Sequence, residues 1–480
     1  MNKEMSQKTF LIIFILIVII GGFLRFYHFD LKPLHHDEGT SWYYINIIYS
    51  NQPLIYDPLF HGFANWYLAV IPIFLFGLSI FTLRIMAVFL SFIAIFFFYY
   101  LKKYLGTIST LITALFFAIS PTFIYYSRQL SQYPFFIFFL FITFILLILY
   151  LNKFKNIYLY LFSIALALLF TSHDWALIFL AALISFIFFA YYFDFTDELV
   201  KNKIKSTLTK IDKTALIFAG LLFIYTVMLI MTNFFTNFHN LFSYLASFNF
   251  HFERTYNEIG HNKSFFYYLT TFWPIEIYAI LGSILAVYFF KREIFSIFVG
   301  YWVLFSFFIF SMIPYKIPWI FIIVLLPMYI LAGLTVKELF NRINNRKKYK
   351  IILISILILL FLLTLYNTIN LNYLNPINKD NVLNYVGPTN DFNRLINDIF
   401  GNLNKDSKIL VAAESYWPLP FYLRNNSTKY IDAKDDLKPY YVEYNLFIID
   451  QDKSFDNTIL SEVGTYELRY GYYIKILKKI

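Results

Sequence analysis

FANWYLAVIPIFLFGL, Phe63 to Leu78, is a sixteen-residue apolar run, and the direction of every later segment turns on whether it crosses a membrane. A span needs about 20 apolar residues. This one is short and carries Pro72 in its middle, which interrupts the helical hydrogen-bond ladder. The basic clusters decide the matter. If the stretch lies along the membrane surface, then Lys102 and Lys103, Lys153 and Lys155, the run Lys201 to Lys213, Lys291 and Arg292, and Arg342 to Lys350 all fall on the cytoplasmic side, as the positive-inside rule requires. If it spans, all of them fall outside. The sequence therefore reads Phe63 to Leu78 as a juxtamembrane helix.

The rest of the chain is mostly hydrocarbon. Of 480 residues, 59% are hydrophobic, 23% aromatic and 14% charged, against about a quarter charged in an ordinary soluble domain. The composition is that of a polytopic membrane protein. Sixty-one Phe and forty-one Tyr make single aromatics poor markers, so the few charges carry the information. Candidate spans are Phe10 to Tyr27, Ile80 to Leu101, Ile108 to Ser120, Pro134 to Leu151, Ile157 to Thr171, Trp175 to Phe193, Ala215 to Met231, Phe265 to Phe290, Ile294 to Ile313, Pro318 to Leu334 and Ile351 to Tyr373. That is about eleven spans, starting from a cytoplasmic N-terminus. Phe10 to Leu24 leads into Arg25, Phe26 and Tyr27 rather than a small-residue cleavage site, so it reads as a retained first helix. The net charge of +10 sits in clusters between apolar runs, which orients helices and implies no nucleic-acid partner. The absence of Cys excludes disulfides, thiolate nucleophiles and thiolate metal sites. Chemistry is left to carboxylates, imidazoles, hydroxyls and cations.

From Asn375 the composition turns polar. Asp391 to Asn402 has a helical pattern, while Lys408 to Ala412, Leu446 to Asp450 and Tyr466 to Ile476 have strand patterns. The expected architecture is mainly α: a polytopic helical membrane domain over 1–374, with juxtamembrane helices in its first outer loop, and a small extracytoplasmic α/β domain over 375–480.

The orientation makes Phe29 to Gly62 an outer loop, and within it LHHDEGTSWYYIN, Leu34 to Asn46, sets two histidines beside two carboxylates. Neighbouring side chains diverge by roughly 100° on a helix, so Asp37 and Glu38 can take different tasks, one facing a pocket while the other caps or orients. An acceptor hydroxyl attacking a phosphate-activated sugar needs a base within hydrogen-bond reach, and Asp37 is placed to be one. A divalent metal ion is an alternative, with His36, Glu38 and His61 as its ligands, although contiguous residues surround one ion poorly. His61 serves equally to cap a turn beside Pro58 and Gly62. In SPTFIYYSRQLSQYP, Ser120 to Pro134, Arg128 stands among Tyr125, Tyr126 and Tyr133, either as a snorkelling anchor or as a cation for a lipid phosphate. Lys316, between Pro314 and Pro318, and Arg84, near a span end, have the same two readings. Glu276 lies in an apolar run, where a carboxylate is costly unless used.

Taken in order, the acidic pair, YDPLFHG at Tyr56 to Gly62, YYSRQLSQY and PYKIPW resemble the GT-C superfamily of membrane glycosyltransferases. The resemblance is to the protein mannosyltransferase and aminoarabinose transferase group, and within it to a prokaryotic flippase-activity-associated branch in which a YWPLPFYLR-like segment, here Tyr416 to Arg424, recurs. It implies a sugar moved from a polyprenyl-phosphate donor to an acceptor at the outer face, inverting, with membrane lipid as surroundings. It further implies Asp37 as base with Glu38 beside it, and His36, Tyr56, Asp57, His61, Arg84, Tyr126, Arg128 and Lys316 toward substrate. Gln132 and Tyr133 stand where many relatives carry a further carboxylate. A transporter or flippase-associated protein for lipid-linked sugars is the alternative. Transporters gather polar sites at the midplane of repeated halves, whereas here the polar residues gather in outer loops and no repeat is visible.

Overall fold

The computed structural model describes residues 5–57, 62–192, 198–257, 261–289, 293–343, 346–404 and 406–480. Among them, seven helices are long and apolar enough to cross a membrane: Gln7–Phe26 (α1), Ile80–Leu105, Gln132–Lys153, Lys213–Met231, Ile294–Met312, Pro318–Arg342 and Lys347–Leu374. The pair Thr107–Ala118 and Pro121–Ser127, bent by 51°, makes an eighth when its two pieces are counted as one broken span. The molecule is a multi-pass membrane protein. The other three expected spans are apolar helices short of a full crossing by length: Asn156–Ser172 and Ala176–Tyr192 have 17 residues each, and Ile277–Phe289 has 13. Pro274 accounts for the last, because the expected run Phe265 to Phe290 breaks there into Tyr267–Phe272 and Ile277–Phe289.

The first loop supplies two helices, His36–Tyr49 (α2) and Phe63–Phe76 (α3), ahead of the long helix that begins as Ile80–Phe96 (α4). At 1.5 Å per residue, the 14 residues of α3 reach about 21 Å, short of a hydrocarbon core of about 30 Å. Trp66 of α3 stacks on Tyr44 of α2 with ring centroids 4.3 Å apart.

The break at Ser120 orphans backbone groups on both sides, and two buried charges answer them. Arg25, at the end of α1, donates through Nη1 to the carbonyls of Ala118 (2.8 Å) and Gly21 (3.0 Å), through Nη2 to Phe117 (3.5 Å), and through Nε to Ser91 Oγ (2.9 Å). Glu276 serves the other side. Its Oε1 accepts from Ser120 Oγ (2.6 Å) and the Thr122 amide (3.0 Å), and its Oε2 accepts from Tyr329 Oη (2.6 Å). The costly carboxylate singled out in the sequence is thus an internal clamp.

The C-terminal sheet has the order β2-β1-β3-β5-β4, with β1 Lys408–Ala412, β2 Ser427–Tyr430, β3 Leu446–Asp450, β4 Leu460–Arg469 and β5 Tyr472–Lys479. The first three strands pair in parallel and the last two run antiparallel. Alternation sends Ile409, Val411, Ile448 and Ile476 against helix Asp391–Gly401, and Leu410, Ala412, Phe447 and Ile449 to the opposite face. Apart from Lys408 and Asp450 at their ends, β1 and β3 are therefore apolar on both faces. The expected strand Tyr466 to Ile476 is corrected to a hairpin that turns at Tyr470 and Gly471, where φ of +80° suits glycine.

Replacing Arg25 with Met leaves the Ala118 carbonyl buried without this donor, at about 1–3 kcal/mol for an unsatisfied group, while the Phe117 carbonyl keeps the Ser120 amide (3.3 Å). The thermal unfolding midpoint in detergent is expected to fall well below that of Ser91→Ala, which removes one side-chain acceptor. Equal midpoints would show that the break is held by something else.

Candidate active site

Residue His35 begins the site by fixing the start of α2. Its Nε2–H donates to the Tyr385 carbonyl (3.0 Å), which leaves Nδ1 to accept from the Asp37 amide (3.1 Å). Glu38 reaches back to the His35 amide (2.8 Å) and completes a capping box. Its other contacts are stronger. Arg84 donates Nε to Glu38 Oε1 and Nη2 to Oε2, both at 2.7 Å, and the Leu130 amide donates to Oε1 at 2.6 Å. Each Glu38 oxygen therefore accepts two hydrogen bonds in a site from which solvent is excluded. Burial alone would raise its pKa; the Arg84 charge and hydrogen bonds, with Lys32 and the His35 amide, outweigh that and hold the carboxyl below its ordinary value.

Arg84 is equally committed. Its remaining donors go to the carbonyls of Phe29 (3.0 Å), Lys32 (2.9 Å) and Pro33 (3.2 Å), so all five N–H groups of the guanidinium are in use. The pair thus consumes two residues that the sequence offers to catalysis and substrate. Glu38 and Arg84 hold the site together, and no donor or acceptor remains on either for a ligand.

Asp37 differs from its neighbour. Its side chain keeps about a third of its surface exposed, at the positive end of a 14-residue helix, where a carboxylate is favoured. Within reach of its charge lie Tyr126, Tyr133, His36 and Arg469. Tyr133 stacks near Trp319 (5.8 Å), which also meets His35 and Tyr385 edge-on, so aromatic rings wall this side. Burial, with smaller effects from Arg469 and His35 and against the pull of Asp37, lowers the His36 pKa from 6.5 to about 4. The ring is neutral at physiological pH, and its Nδ1 is buried without a partner among the described residues.

Arg469 escaped the sequence reading because it lies more than 400 residues from the acidic pair, in a hairpin taken for a single strand. Its guanidinium stacks over Tyr472 (5.1 Å) and makes no hydrogen bond to any described residue. It reaches the site because YWPLPFYLR docks on α2. A Cβ on Gly39 would meet Pro418 Cα at 2.8 Å, so glycine lets the tail approach the helix backbone. Beside that contact Trp42 packs on Phe421 (5.5 Å), and the Leu34 amide donates to Tyr422 Oη (3.0 Å).

Among solved structures, the chain is similar to ArnT, an aminoarabinose transferase, from Cupriavidus metallidurans bound to undecaprenyl phosphate, with 13% identity, 98% of both chains covered and a TM-score of 0.64. The apo form of that protein gives 12%, 98% of both chains and 0.64. An Archaeoglobus fulgidus oligosaccharyltransferase, in complex with Zn and sulfate, gives 13% identity over 91% of this chain and 68% of its own, with a TM-score of 0.54. No family model matches the sequence, and no curated protein matches it. The chain has the GT-C glycosyltransferase fold.

On this GT-C frame the other sequence candidates separate from Asp37. Arg128 donates to the carbonyls of Asn372 (2.7 Å), Tyr27 (3.1 Å) and His28 (2.8 Å), tying the end of α1 to the end of the last membrane helix. Lys316 points its Nζ at the carbonyls of Ile313 (2.6 Å) and Lys263 (3.2 Å). Burial lowers its pKa. Tyr56 packs on Phe63 (5.1 Å) and Tyr244 (5.8 Å), with Asp57 following it, in a segment that Asn240 fastens by accepting from the Tyr56 amide (2.9 Å). His61 lies outside the described residues. Among those described, no three His, Asp or Glu side chains gather as a metal site, and Glu38 is saturated by Arg84.

Both acid-labile groups act in one direction. Glu38 is depressed in the folded state, so its stabilisation is present at neutral pH and lost as pH falls through the carboxylate range. His36 stays neutral when folded while the unfolded imidazole takes a proton below 6.5, so stability falls between 6.5 and about 4. The unfolding midpoint, followed from pH 7 to pH 4, is expected to drop steadily. His36→Gln should flatten the upper part of that slope, and Glu38→Gln should lower the midpoint at pH 7 by breaking a buried pair, a loss on the order of 3–5 kcal/mol.

Proposed function

We propose that this protein is an integral-membrane glycosyltransferase that moves a sugar from a polyprenyl-phosphate-linked donor to an acceptor at the extracytoplasmic face, with inversion and with Asp37 as general base. The observation that carries this reading is the division within the acidic pair: Glu38 is saturated and buried, while Asp37, on the same helix start, keeps a part-exposed carboxylate within electrostatic range of neutral His36 and the Arg469 guanidinium. The fold supports it, since ArnT has that fold and was crystallised with undecaprenyl phosphate. The acceptor is a protein, lipid or glycan hydroxyl.

In the proposed step, Asp37 takes the proton of the acceptor hydroxyl as its oxygen bonds to the anomeric carbon from the face opposite the phosphate. The bond from that carbon to the phosphate oxygen breaks, and its electron pair leaves with polyprenyl phosphate. Arg469 meets the growing negative charge, where a preorganised cation is worth most. Neutral His36 and the hydroxyls of Tyr126 and Tyr133 orient the sugar. Residues 1–374 form the transferase unit, and 375–480 closes over it and contributes Arg469. Lys316 serves as a structural cation at the same membrane face.

Purified protein given a polyprenyl-phosphate sugar and a mixture of acceptors tests the assignment. Asp37→Asn is expected to reduce transfer by about 10²–10⁴-fold, and Arg469→Gln to weaken donor use while leaving the unfolding midpoint intact. Transfer at the wild-type rate by Asp37→Asn would remove Asp37 from the mechanism. Orientation has its own measurement, made simple by the absence of Cys. In intact cells a membrane-impermeant maleimide should label Lys434→Cys, and it should label Lys348→Cys only after lysis; the reverse pattern would invert the topology.

A further inference from the structure

A second polar site lies away from Asp37. A cavity of about 340 Å³ opens between the end of α1, the first loop and the end of the last membrane helix, with Leu31, Lys32, Tyr125, Arg128 and Asn372 among its lining residues. It is lined by two basic side chains, Arg128 and a Lys32 whose pKa burial lowers well below its ordinary value against the pull of Glu38, and by no carboxylate. Two carboxylates are felt there: Glu38, which is paired with Arg84, and Asp30, which is exposed. Lys32 Nζ sits 3.8 Å over the Tyr125 ring and donates to Gln129 Oε1 (3.0 Å), which leaves two of its three N–H groups for a ligand. Arg128 is 9% exposed, stacks over Tyr373 (4.4 Å), and has its Nε–H buried with no partner among the described residues. Asn372, 3% exposed, presents the complementary gap, because its Oδ1 is buried without a donor.

Free N–H groups on Lys32 beside the Arg128 guanidinium call for a ligand that is anionic. Depth says where such a ligand would come from. The cavity lies where two membrane helices end, at Phe26 and Leu374, the level of lipid headgroups. Apolar side chains flank it on the lipid side: Phe23 is 61% exposed, Leu31 71% and Leu374 69%. Acyl chains would lie against these while the headgroup enters.

We infer that this cavity binds the phosphate ester of an anionic phospholipid headgroup, with Lys32 Nζ as donor and the Arg128 guanidinium beside it. The site ties the lipid to the first loop, because Lys32 directly precedes the segment that Arg84 fastens to Glu38. It is independent of the glycosyl-transfer reading.

Native mass spectrometry of the full chain in detergent, titrated with dioleoylphosphatidylglycerol, tests it. Wild type is expected to retain one copy, held about tenfold more tightly than by Lys32→Gln, the factor expected for one charge-assisted hydrogen bond. Lys32→Arg should restore retention. Asp37→Asn should leave it unchanged, which separates this site from the proposed active site. Dioleoylphosphatidylcholine, which carries no net charge, should be retained less. Equal retention by wild type and Lys32→Gln, or equal retention of the two lipids, would overturn the inference. Excess glycerol 3-phosphate that fails to displace the lipid supports a headgroup site; displacement at equal concentration would assign the cavity to a soluble phosphate ester and overturn the lipid reading.

Discussion

The buried pair of Glu38 and Arg84 is the constraint on which the rest of the site depends. Removing two charges from water is expensive, and attraction repays it only when the remaining donors and acceptors are also met. Here they are all met. The carboxylate accepts from Arg84, His35 and Leu130, and the guanidinium donates to the carboxylate and to the Phe29, Lys32 and Pro33 carbonyls. One interaction therefore fastens α2, α4, the incoming loop and the loop after the bent span. Asp37 inherits its position from this arrangement, since it follows one residue of a capped helix start whose next residue cannot move.

The C-terminal domain depends on the same point. Gly39, next to Glu38, is where Pro418 comes against the helix, and Leu34, just before the histidines, donates to Tyr422. Two sequence motifs separated by nearly the whole chain are thus the two halves of one contact. That contact brings the β4 to β5 hairpin over the helix start, and with it Arg469. The tail is part of the site.

The membrane spans were legible because about 20 apolar residues with basic flanks leave few other readings. The expected span end at Ser120 matches the break there, whereas the boundary failed at Pro274, where a run continuous in hydropathy breaks in the backbone; hydropathy does not record which carbonyls lose their partners. The strands β1 and β3 were legible as short apolar runs, whereas β2, four residues at a half-exposed sheet edge, gave no such signal. At the site, the acidic pair was visible but its roles were not. Adjacent carboxylates are chemically alike in sequence, and only the partner of one, Arg84 from another helix, separates the saturated group from the available one. Arg469 was invisible because only the tail's docking brings it to α2.

The cations divide by what answers them. Arg25 and Arg84 give their donors to internal carbonyls, a hydroxyl and a carboxylate, and Lys316 gives two of its own to carbonyls. These are structural charges, stable without a ligand. Lys32, Arg128 and Arg469 keep donors in hand, and all three lie at the end of the bundle that carries the tail domain. A buried or half-buried donor without an acceptor costs free energy that water or a ligand must offset. At the membrane boundary the abundant anion able to do so is phosphate borne on lipid. The cations with free donors therefore mark the two proposed encounters with phosphate, Arg469 near Asp37 and Lys32 with Arg128 at the end of α1.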